Sequence, residues 1–240
     1  MYENVRPATI TQARQEASTL FLAKVFNLMT LGLGITGVVA YLTANYPTAN
    51  TSLAVAIIGS PLFIMLVLAE LGLVFYLSAR VEKIQAATAS GLFIGYSVLN
   101  GLTLSVIFLA YTSTSIAGTF FIAAGMFGAM AVYGMVTKRD LSGLGSFLFM
   151  GLVGIIIASI VNIFLNSSSV HWMISVLGVL IFTGLTAYDV QKIKRIGEEG
   201  ILAQGDEVVR KGTVMGALTL YLDFINLFLM LLRFFGGSRD

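Results

Sequence analysis

Three carboxylic acids stand where an ionised group is hardest to keep. Glu70, Asp189 and Asp223 lie within apolar runs, whereas the other nine acidic residues fall in loops, tails or helix ends. A charge near the middle of a bilayer costs on the order of 2.5–3.5 kcal/mol, so each of the three is expected to face protein and to have a partner. Thr219, Asp223, Asn226, Met230 and Arg233 recur at steps of three and four, which puts them on one stripe of a helix. Thr183, Thr186 and Asp189 form a similar stripe, and the two are expected to face each other. Two carboxylates about 4 Å apart, at an effective dielectric near 20, repel by roughly 4 kcal/mol. Such a pair is expected to share one proton and to titrate as a coupled unit near neutrality. With Thr186, Thr219 and Asn226 as supporting oxygens, Asp189 and Asp223 would make a loose, low-affinity Ca2+ site. Glu70 alone fits either a functional carboxylate or a protonated carboxyl bridging two helices.

The elements that must position these groups are membrane spans. Hydrophobic residues make up 57% of the chain and charged residues 11%, and the mean hydropathy is +0.91. A water-soluble domain, at about 25% charged, could not cover itself with so few charges. A helix crossing the hydrocarbon core needs about 20 apolar residues. Read that way, the chain gives seven spans, near 22–43, 52–78, 90–111, 115–137, 142–166, 170–191 and 213–235. The predicted fold class is an all-α membrane protein, a single bundle over residues 21–236. A polar, cytoplasmic N-terminal tail (1–20) precedes it and a short polar tail (237–240) follows. The first twenty residues lack the apolar run of a cleavable signal, so the first span is expected to be an uncleaved anchor.

Charge sets the expected orientation. Twelve of the fourteen Lys and Arg residues fall before or at the start of the first span or after the second, fourth and sixth, from Arg6, Arg14 and Lys24 to Arg210 and Lys211. The loops 44–51, 112–114 and 167–169 have none. This asymmetry predicts a cytoplasmic N-terminus. Seven spans would put the C-terminus outside, although Arg233 and Arg239 sit there, so a re-entrant last helix is the competing topology. Trp172 and the lone histidine, His171, read as residues of the outer aromatic belt. Gly91-x-x-x-Gly95 and Ala124-x-x-x-Gly128 are candidate close-packing pairs. Absence of cysteine excludes thiolate chemistry, and a net charge of +2 argues against nucleic-acid binding.

An enzymatic reading fails on detail. Tyr188-Asp189 matches one half of an intramembrane aspartyl protease, but Leu220, Tyr221 and Leu222 precede Asp223 where Gly-x-Gly is needed. No proline lies in a Pro-Ala-Leu loop, and the last span has no lysine for a retinal Schiff base. There is no sign of the inverted repeat of a secondary transporter. The chain is expected to have no catalytic residues and no cofactor.

The segments GLTAYDVQKIK (184–194) and ALTLYLDFINLFLMLLRFFG (217–236) resemble the closing helices of the transmembrane Bax inhibitor motif family, above all its bacterial inner-membrane members. MTLGLGITGVVAY and AGMFGAMAVYGMVTKRDLSG extend the resemblance over nearly the whole chain. The resemblance implies a seven-helix bundle with the last helix central, wrapped by the other six. It also implies a pH-sensitive calcium leak gated by a pair of aspartates, here Asp189 and Asp223. The family's partner arginine near the inner end of helix 2 falls on Arg80, within ELGLVFYLSAR. The expected partners are lipid, protons and Ca2+. The alternative, from other relatives, is a non-conducting regulator of a membrane-bound protease or stress response.

Overall fold

The computed structural model describes the backbone of residues 7–47 and 52–237. Arg6, Arg239, part of the 44–51 loop and most of the expected C-terminal tail lie outside them. Seven helices are long and apolar enough to cross a membrane. The elements are α1 (Pro7–Asn45), α2 (Leu53–Ile58), α3 (Leu62–Arg80), α4 (Ala86–Leu104) and α5 (Ile107–Ala110). They continue as α6 (Ser113–Val136), α7 (Ser142–Leu165), α8 (Ser168–Glu198) and α9 (Asp206–Phe235), with a short 3-10 turn, Ile201–Ala203, before α9.

Several helices run past the limits set by hydropathy. At 1.5 Å per residue, the 39 residues of α1 span roughly 58 Å, about twice the hydrocarbon thickness. Residues 7–20 are therefore mostly helix and not a separate tail. α8 continues seven residues beyond its expected end at 191, and α9 starts seven residues before 213. These extensions pack together: Gly197 lies against Ser18 and Phe21 of α1, and Gly212 against Phe21 and Ile201. Gly200 and Gly205 turn the chain between them with φ of 89° and 91°, a region other residues rarely adopt.

Two expected spans are broken. The second divides at Gly59-Ser60-Pro61 into α2 and α3, because Pro61 has no N–H to continue the ladder. Ser60 satisfies a freed carbonyl, donating its hydroxyl to Ile57 O at 2.8 Å. The third span stops at Leu104, where the Ser105 hydroxyl donates to Leu102 O at 2.6 Å, and resumes as α5.

α3 and α7 turn large side chains such as Ile64, Leu68, Phe75, Phe149, Ile156 and Phe164 outward. α9 has fifteen buried residues, more than any other helix among the described residues, and packs on α1, α4, α6 and α8. Lipid tails are as apolar as leucine, so packing between helices must come from close contact. Gly134 meets the Ala187 backbone, Gly145 the Tyr188 ring, Gly184 the Leu148 side chain and Gly178 the Met230 side chain. The small residues singled out from spacing behave differently. Gly91, Gly95 and Gly128 have open space where a side chain would go.

Both ends of the bundle are tied across elements. At the basic end, the Glu207 carboxylate of α9 accepts from Ala86 N at 2.8 Å, capping α4, and Lys211 donates to Glu82 O. At the opposite end, Thr112 N donates to Gly237 O at 3.2 Å and the Trp172 ring stands edge-on to Phe234. α9 therefore runs from one end of the bundle to the other, as a spanning helix does.

Candidate functional site

α8 and α9 lie side by side over most of their length. Contacts of Gly178 with Met230 and of Gly216 with Ile193 fix their register and bring Asp189 and Asp223 within about one helical turn of each other. The two carboxyls come into electrostatic reach of each other. Asp223 is only 5% exposed, and its Oδ2 is buried with no hydrogen-bond partner. Asp189 is less enclosed, with Lys192 in electrostatic reach one turn further along. A carboxylate oxygen left bare in a dry interior is costly unless a proton or a cation reaches it.

The expected supporting groups are not gathered around this pair. Thr186 Oγ1 donates to Phe182 O at 2.8 Å, Thr219 Oγ1 to Met215 O at 3.0 Å and Asn226 Nδ2 to Leu222 O at 2.8 Å. Each bonds the carbonyl one turn back in its own helix, the usual alternative for short polar side chains in a helix. Thr183 Oγ1, by contrast, is buried with no partner. Among the described residues no three acidic or histidine side chains converge as a metal cluster.

Arg80, Arg233 and Glu70 each lie elsewhere. Arg80 is exposed at the end of α3, a helix packed mainly on α4, and forms no hydrogen bond or ion pair with either aspartate. As a direct partner of the pair it is not supported in this conformation. Arg233 is in the last turn of α9, ten residues beyond Asp223, where its Nη1 lies 3.9 Å from Met230 Sδ. Glu70 bridges α3 to α4, accepting from Thr103 Oγ1 at 2.7 Å and from Asn100 Nδ2 at 3.2 Å.

Asn100 extends this bridge to α9. Its Oδ1 accepts from the Tyr221 hydroxyl at 3.1 Å, and that hydroxyl lies 2.6 Å from Thr36 Oγ1 of α1. Tyr221 is fully buried two residues before Asp223, on the opposite face of α9. The sequence did carry a signal, since a tyrosine inside a packed helix needs a partner for its hydroxyl. Tyr221→Phe is expected to destabilise the fold by about 1–3 kcal/mol, because Asn100 and Thr36 stay buried without it. Thermal unfolding in a fixed detergent measures this; an unchanged midpoint would show the network to be energetically idle.

Gln191, two residues after Asp189, clamps the α6–α7 loop to α8. Its Oε1 accepts from Leu141 N at 2.9 Å and its Nε2 donates to Arg139 O at 2.8 Å. Beside it Arg195 pairs with Asp140 at 2.6 Å. That guanidinium, with Ser142, holds the exposed Asp140 carboxyl below the ordinary carboxylate range. The contribution of the ion pair is thus present at neutral pH and fades as acid protonates Asp140. Gln191→Leu strands both backbone groups and is expected to cost about 1–3 kcal/mol. Comparing unfolding midpoints of the variant and wild type tests it, and equal midpoints would show the clamp is dispensable.

Known proteins resemble this chain over nearly all of its length. The family model described as "Inhibitor of apoptosis-promoting Bax1" matches residues 18–240. The chain is 48% identical over 235 residues to an Escherichia coli K12 protein named "Inner membrane protein YbhL", covering 98% of each chain. A Borreliella burgdorferi protein is 49% identical over 233 residues, covering 96% of this chain and 98% of its own length. An uncharacterized membrane protein of Streptococcus pyogenes is 41% identical over 218 residues, covering 91% and 93% respectively.

Proposed function

The chain belongs to the Bax1-I family, and on that premise we propose that it is a pH-sensitive passive cation conduit, with Ca2+ as the principal ion. We place it in the bacterial inner membrane with its N-terminus cytoplasmic, in keeping with the name of the Escherichia coli relative and with its basic loops. The observation that carries this reading is the bare, buried Oδ2 of Asp223 beside Asp189.

With one proton between them, the carboxyls bear a single negative charge and hold α8 to α9. With that proton gone, like charges meet in a low dielectric and the contact is unfavourable until a cation arrives. Calcium takes six to eight oxygens, more than this pair and its self-bonded neighbours present together, which suits brief occupancy during passage. The ion is cargo, and no resident cofactor or catalytic group is needed.

The second reading, regulation of a membrane-bound protease, rests on the inhibitor in the family's description. Purified protein in dye-filled vesicles separates the two. Calcium flux that changes with pH supports the conduit. No flux, together with recovery of a membrane protease on residues 1–20, assigns the chain to the regulator class.

A further inference from the structure

At the end of the bundle away from the basic loops, α8 and α9 border a cavity of about 430 Å³ lined in part by Tyr111, Asn166, Ser168, His171, Trp172 and Arg233. Arg233 is the cation of this cavity, and no ion pair neutralises it: every ion pair among the described residues involves Lys194, Arg195 or Lys211 at the other end. No described acidic residue lies at the cavity's end of the bundle. Arg233 is exposed and has no ion-pair partner among the described residues, so its guanidinium is open to an anion from outside them.

The shape and chemistry specify that charge. A guanidinium presents paired N–H donors that match phosphate oxygens. The His171 ring and the Ser168 hydroxyl add further donors in the same cavity. Two amphipathic aromatics, Tyr111 and Trp172, form its wall, and Trp172 is 61% exposed. Such rings sit at the headgroup level of a bilayer, and Phe234 completes the apolar part of the lining. We propose that this cavity binds the phosphate of an anionic phospholipid, with Arg233 as its anchor. The inference is independent of the conduit: it concerns the far end of α9 and stands whether or not ions pass Asp223.

Trp172 is the sole tryptophan of the chain, so intrinsic fluorescence reads this cavity alone. Detergent-solubilised wild type is titrated with short-chain phosphatidylglycerol, short-chain phosphatidylcholine and inorganic phosphate. The expected result is a saturable emission shift with phosphatidylglycerol, and affinity about tenfold lower in Arg233→Gln, as for loss of one charge-assisted pair. Lys211→Gln, at the other end, should titrate like wild type. Equal response to phosphatidylcholine, whose phosphate is offset by its own choline cation, would show that the site does not select an anionic lipid, and equal response to inorganic phosphate would make it a free-anion site. Either overturns the proposal, as does an unchanged Arg233→Gln curve or the absence of any saturable shift. Asp240→Asn should also bind normally; binding seen only in that variant would show that the chain's own carboxylate fills the cavity, and would overturn it too.

Discussion

Asp223→Asn, reconstituted in calcium-loaded vesicles, is expected to leak at one rate across mildly acidic to mildly alkaline pH, the rate wild type shows at the acidic end. An amide matches a protonated carboxyl in shape and charge but cannot ionise, so the variant is held in the protonated condition. Wild type, if one shared proton sets the open population, should change by up to about tenfold per pH unit on its sensitive limb. Asp189→Asn should remove the same dependence, since either amide ends the competition for the proton. Arg80→Ala should leave the dependence in place, because Arg80 bonds neither aspartate. Wild-type pH profiles in both Asp→Asn variants would defeat the gating account.

Gly134→Ala is expected to be the most damaging of the single-methyl changes in the spans. A methyl at Gly134 would run into the Ala187 carbonyl oxygen, a backbone atom that no rotamer change can move. Overpacking of this kind typically costs about 1–3 kcal/mol. α6 must then move off α8 two residues from Asp189, so the pH profile of the leak should shift along with the unfolding midpoint. Gly128→Ala is the matched control, six residues earlier in α6, where a methyl meets open space. It should be neutral or slightly stabilising, since alanine is favoured over glycine in a helix by roughly 1 kcal/mol. Equal midpoints for the two variants would mean that α6 and α8 are not closely packed at this point.

The spans were legible because lipid imposes a length and a composition on whatever crosses it. The same rule hid the true helix ends. Hydropathy stops at the interface, whereas backbone hydrogen bonding runs on from Pro7 in α1 and to Glu198 in α8. The break at Gly59-Ser60-Pro61 was written plainly in the residues, but an unbroken apolar count over 52–78 passed across it. Asp189 and Asp223 could be found from charge alone. Their neighbours could not, because a stripe gives the face and not the bond: Thr186, Thr219 and Asn226 each turn to their own helix. Spacing also named the wrong glycines. Among the 25 in the chain, Gly134, Gly145 and Gly184 are set apart from Gly91 and Gly95 only by what stands opposite, which is tertiary information.

Tyr221 and Asp223 sit almost back to back on α9, one bonded toward Thr36 and Asn100, the other turned to Asp189. The last helix therefore behaves as a fulcrum. Rolling it to part the two acids would pull the phenol off its partners on α1 and α4, and through Asn100 would disturb the carboxyl of Glu70 on α3. Under the proposed gating, a protonation event on one flank of α9 would be felt on the other, with α9 itself as the lever between them.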